Sequence, residues 1–168
     1  MKRRSRAERT RRLILIAATL LLTLGTAGLA QDLSSQVQLR LEMFVVTVDN
    51  GQERFTPSIT AREGQVVEYR ILAVSHATEP LQAGTVTVTV PIPADTTYQV
   101  NSAVPVSEAV LVEFRALDGE YMAPPVFIET DGNRRSAPPT EYSGIRWTLL
   151  DVFQPGEERE FSFRVTVD

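Results

Sequence analysis

The stretch Ile145–Val167, IRWTLLDVFQPGEEREFSFRVTV, decides the fold. Ile145, Trp147 and Leu149 alternate with Arg146 and Thr148, and Phe161, Phe163, Val165 and Val167 alternate with Ser162, Arg164 and Thr166. A period of two carried by β-branched and aromatic side chains is the pattern of a strand with one buried face. Between the rows, Pro155-Gly156 supplies a turn, because proline presets φ and glycine accepts a positive one. The phase places Trp147, Phe161 and Phe163 in a core; a carbohydrate platform would need these rings on the opposite face.

The same period runs upstream. Val37, Leu39, Leu41 and Met43 alternate with Gln38, Arg40 and Glu42, and then the apolar set moves to Phe44, Val46 and Val48. That change of phase predicts a bulge or a crossing between sheets. Asp49-Asn50-Gly51 reads as a tight turn. Gln65–Ser75 puts Val67, Tyr69, Ile71 and Ala73 on one face, with Glu68 and Arg70 on the other. Thr85–Val90 puts Val86, Val88 and Val90 inward and Thr85, Thr87 and Thr89 outward, until Pro91 and Pro93 end the ladder. Val110, Val112, Phe114 and Ala116 make another inward row. Asp118-Gly119 turns the chain into Tyr121–Glu129, and Asp131-Gly132-Asn133 opens a polar loop. Seven to nine short strands with no amphipathic helix predict an all-β antiparallel sandwich over residues 31–168, one domain. Proline-rich interruptions disfavour an up-and-down barrel.

Ahead of the strands stand a basic head, MKRRSRAERTRR (residues 1–12), and an apolar run, LILIAATLLLTLGTAGLA (residues 13–30). The first thirty residues hold seven Lys and Arg and one Glu, which predicts a signal-peptide helix. Gly28 and Ala30 stand at minus three and minus one of a cleavage between Ala30 and Gln31. Arg11-Arg12 loosely matches the twin-arginine export pattern. An uncleaved run would instead be a membrane anchor, since eighteen residues just span a bilayer. Residues 31–168 carry 10 Arg, no Lys and 20 Asp and Glu, a net charge of −10. A nucleic-acid binder needs a basic stripe, so that partner class is excluded. With no cysteine, the exported domain depends on its core and ladders alone.

The segments EGQVVEYRILAVS (residues 63–75), GTVTVTVPIPADTTYQVNSAV (84–104) and IRWTLLDVFQPGEEREFSFRVTVD (145–168) together resemble the bacterial conserved repeat domain called domain of unknown function eleven. The resemblance covers residues 37–168 and implies an immunoglobulin-like sandwich in an exported or cell-surface protein, with no shared activity. Ser75-His76-Ala77 replaces the Asn-Thr-Gly frequent in that family, Val90 stands where it often has Asp, and one copy stands in place of its tandem arrays.

Chemistry-bearing candidates are sparse. His76 is the only histidine, and a zinc or copper site there would need carboxylates from distant loops. A Ser-His-Asp triad lacks its Gly-x-Ser-x-Gly elbow. Asp49, Asn50 and Glu53, and Asp131 with Asn133, offer oxygen ligands of the kind calcium takes, in incomplete sets. Glu157, Glu158 and Glu160 read as a solvated turn and edge. The leading candidate for recognition is the loop carrying Asp131, Asn133, Arg134 and Arg135, because loops on rigid sandwiches carry binding groups. The sequence thus predicts a non-enzymatic envelope, periplasmic or surface module without cofactor or metal, contacting an envelope or surface protein or polymer through loops or, by strand addition, an edge strand. Membrane contact is expected only through an uncleaved signal segment. The alternatives are a signal-anchored structural subunit and a loop-based metal-dependent hydrolase.

Overall fold

Alternation along the chain is realised as two antiparallel sheets packed face to face, an all-β sandwich. The computed structural model describes residues 36–130 and 132–168, with two dipeptides of the N-terminal segment, Ile14–Leu15 (β1) and Leu21–Leu22 (β2). One sheet has the order β4-β3-β6-β13-β8, formed by Gln52–Pro57, Val37–Asp49, Val66–Ser75, Glu158–Val167 and Thr96–Tyr98. The other has the order β2-β7-β12-β9, in which Thr87–Pro91, Tyr142–Leu149 and Val110–Ala116 follow β2. The chain crosses between sheets from β6 to β7, β7 to β8, β8 to β9 and β12 to β13. Thr60–Ala61 (β5) pairs with β1, and Phe127–Thr130 (β10) pairs with Asn133–Ser136 (β11).

The core forms where the inward rows meet. Trp147 is fully buried, with ring centroids 5.6 Å from Phe161 and 6.2 Å from Phe163, and Tyr69 stacks on Phe163 at 5.0 Å. Val67, Ile71, Val88, Val90, Ile145 and Leu149 fill the space around them. The Trp147 indole N–H and the Tyr69 hydroxyl have no hydrogen-bond partner among the described residues. Burial pushes the Tyr69 phenol well above its ordinary pKa.

Turn chemistry sets the joints. Asn50 (φ 52°) and Gly51 (φ 79°) close the β3–β4 hairpin in the doubly left-handed form that suits strand twist. Gly156 (φ 75°) follows Pro155 in a turn closed by the Glu157 N–H donating to the Gln154 carbonyl at 3.1 Å.

The phase change expected in β3 is corrected. β3 pairs with β6 in one unbroken register from Val37↔Ser75 to Val46↔Val66, so there is neither bulge nor crossing. The inward row simply continues to Val45, and Phe44 lies on the outer face because Arg70 covers its ring, 4.7 Å from guanidinium carbon to centroid. Thr89, in the outward row, is nonetheless buried, and its hydroxyl has no partner among the described residues. Of Tyr121–Glu129 only the segment from Phe127 is strand, Met122 bridging to Phe114 on the way. The signal-peptide helix and the Ala30–Gln31 cleavage lie outside the described residues. Of residues 1–35 only β1 and β2 are described, each a two-residue strand, β2 pairing with β7 through Leu21↔Thr89 and Leu22↔Val88. There the open ladder of β7 offers backbone partners to an extended segment.

On the outer face of the smaller sheet, Tyr121 lies against Gly144 and under Arg115 and Arg146, whose guanidinium carbons are 5.3 and 4.6 Å from its ring centroid. A Cβ at Gly144 would stand 2.5 Å from the Tyr121 hydroxyl oxygen. Gly144→Ala should therefore displace Tyr121 and cost about 1 kcal/mol, at the low end for overpacking because a ring tip can move. Thermal denaturation checks this, and Tyr121→Phe in the same chain should recover part of the loss.

Candidate functional site

The polar loop expected after Glu129 is a hairpin tip. Thr130 pairs with Asn133, leaving a two-residue Asp131-Gly132 connection with Gly132 at φ 76°; Asp131 itself lies outside the described residues. Asn133 is exposed. Arg134 lies 4.4 Å over the Phe127 ring, and Arg135 donates to both Glu141 carboxylate oxygens at 2.9 and 2.8 Å. Those bonds hold the Glu141 carboxyl below its ordinary range and the Arg135 guanidinium above its own. Two cations expected to meet a partner thus already have partners within the chain.

The other candidates are similarly engaged. His76 Nε2 lies 3.0 Å from Gln38 Oε1 on the surface. His76→Ala should leave the unfolding free energy, read by denaturant titration, within about half a kcal/mol of wild type, as for an exposed side chain with one polar contact. Asp49 pairs with Arg54 at 2.8 Å, while Glu53 takes two donors from Arg164 at 2.7 and 2.8 Å. Among the described residues no three His, Asp or Glu side chains are grouped to hold a metal ion. Glu157 pairs with Arg159, and Glu158 and Glu160 stand exposed at the start of β13.

Sequence reading missed a buried carboxylate. Glu68, on the outer face of the larger sheet, accepts from Arg70 Nε at 2.6 Å and Arg164 Nε at 2.7 Å. Arg164 joins it to Glu53, while the Arg70 guanidinium lies over both Phe44 and Phe55, at 4.7 and 4.6 Å. The signal available in the sequence was Phe44 itself, an aromatic out of phase with its strand.

Sequence reading also missed a cleft, of about 350 Å³, on the side of the sandwich where edge strands β8 and β9 face each other. Its walls are Val100, Ala103 and Val106 on one side and Val110 and Val112 on the other, with Pro124 also in the lining. Three rings contribute to it: Tyr98 is 5.0 Å from Phe114 and 5.8 Å from Tyr142, and Phe114 is 5.2 Å from Tyr142. The connection after β8 is shaped from within. The Tyr98 hydroxyl accepts the Ala103 N–H at 3.1 Å, and Asn101 takes a left-handed φ of 63°. The Ser102 hydroxyl donates to the Gln99 carbonyl at 2.6 Å and accepts the Arg164 N–H at 2.9 Å. Val104 then pairs with Ser162, which carries the edge of the larger sheet past the cleft.

Among the described residues no charged side chain lines the cleft. Burial raises the Tyr98 phenol against the lowering effect of its Ala103 and Ser102 hydrogen bonds; burial and then Tyr98 raise Tyr142. Both phenols are neutral at physiological pH. Val100 is 62% exposed and Val106 78%, so apolar surface at the mouth faces solvent. Chemically, an apolar group placed in this arrangement would be removed from water. No family model, curated protein or solved structure matches the chain.

Proposed function

We propose that this chain is an exported, non-enzymatic module of the cell envelope that holds another surface protein or polymer. The observation that carries the reading is the neutral, apolar cleft between β8 and β9, with Val100 and Val106 exposed beside the Tyr98, Phe114 and Tyr142 rings. Export is supported by the basic head and apolar run of residues 1–30. The resemblance of residues 63–75, 84–104 and 145–168 to a family of surface proteins, read from the sequence alone, is in keeping with an envelope location. Among the described residues no helix is long and apolar enough to cross a membrane. Intact mass of the native protein should place its start near Gln31; a retained Met1 on membrane-bound material would establish an anchored subunit instead.

The functional test is capture from an envelope extract by the wild-type chain and by Val100→Ser/Val106→Ser, both changes lying on exposed side chains. A specific partner retained by wild type and lost by the double variant supports the module and its cleft. Retention that ignores the double variant but fails on replacing residues 131–135 moves recognition to the hairpin. Turnover of an extract component in place of retention would establish an enzyme.

A further inference from the structure

We infer that the cleft is built for an extended segment of a partner protein, carrying one large apolar side chain flanked by basic residues; this rests on the binding-module reading above. Three observations converge on that occupant. The first is size and polarity: about 350 Å³ with an uncharged lining accepts a Phe- or Leu-sized group and turns away a charged one.

The second is a free backbone position at the cleft wall. Alternation along β9 points the N–H and C=O of residues 110, 112 and 114 away from β12. Phe114 uses both groups on Met122, and the Val110 N–H donates to Ser107. Val112, between them, has no backbone partner on that side among the described residues. A segment seated in the cleft can take up this N–H and C=O as one rung of an antiparallel pair, which a compact ligand without a peptide backbone cannot do.

The third is charge. Glu108 is exposed in the connection between Val106 and Val110, both of which line the cleft, and it makes no ion pair among the described residues. It stands on a chain whose residues 31–168 carry a net charge of −10, so basic flanks are favoured and acidic ones repelled. Edge strand β4 is a poorer host, since Pro57 lacks an N–H and Glu53 lies under Arg164.

The test uses the isotopically labelled chain purified from the envelope and three capped pentapeptides, KVFVK, KVSVK and EVFVE, followed by NMR. KVFVK should shift the Val112 amide and the Val106 and Val110 methyls saturably. KVSVK and EVFVE should each bind at least about tenfold more weakly, as should KVFVK to the Val100→Ser/Val106→Ser variant. Equal binding of the three peptides, or shifts centred on β4 or the β10–β11 hairpin, would overturn the inference. So would equal affinity of capped phenylalanine alone without a Val112 amide shift, since the cleft would then take small apolar molecules. Failure here with envelope capture intact removes only this occupant; failed capture with KVFVK bound removes the module reading and leaves the cleft chemistry.

Discussion

Trp147→Ala is expected to destabilise the protein by about 3–5 kcal/mol, a large part of the total for a domain of this size. Trp147 is fully buried and touches the aromatic rows of the opposite sheet through Phe161 and Phe163, so its removal opens a cavity between the two layers. The comparison is Thr87→Ala, whose hydroxyl lies 3.3 Å from that of Thr148 on the outer face and whose loss should cost under about 1 kcal/mol. Denaturant titration of the two variants checks the assignment of faces. Equal midpoints would mean that the phase was read the wrong way round.

Arg164→Ala should cost about 2–3 kcal/mol, because it leaves the buried Glu68 carboxylate with Arg70 alone. The figure sits below the range for a fully buried pair because the Arg164 side chain keeps 26% of its surface and Arg70 32%. Adding Glu68→Gln removes the charge that needs a partner, and the double variant should be more stable than Arg164→Ala by itself. The same guanidinium shapes the acid response. Its hydrogen bonds hold the Glu53 carboxyl below its ordinary 4.5, outweighing the opposing effect of desolvation, with charge attraction adding to them. A lowered folded pKa contributes stability that is present above 4.5 and is lost as pH falls through the folded value. Wild type should therefore lose stability on acidification more steeply than Arg164→Ala.

Inward rows were legible wherever one face of a strand meets the core. Val67 to Ala73, Val86 to Val90, Ile145 to Leu149 and Phe161 to Val167 all follow their period of two into burial. Phe44 misled because an apolar ring on the outer face is indistinguishable, by period alone, from a shift of register; what covers it is Arg70, from the neighbouring strand. Glu68 reads in sequence as an ordinary outward acid, and its burial comes from two arginines that reach it from its own strand and from β13. The cleft was illegible for a different reason. Val100, Ala103 and Val106 sit in an irregular connection, where no period exists, and only the placement of edge strands β8 and β9 beside one another brings them to a cleft with Val110 and Val112. The hairpin arginines stood out by their charge, and the partners that occupy them, Phe127 and Glu141, lie seven and six residues away along the chain.

Site-specific photo-crosslinking in intact cells tests the central claim most directly, with a benzophenone side chain placed in turn at Val106, Asn133 and Ile59. All three positions are exposed, and only Val106 lines the cleft. The account predicts one discrete crosslinked partner from Val106 and none from Asn133 or Ile59. A partner captured from Asn133 or Ile59 but not from Val106 would contradict it.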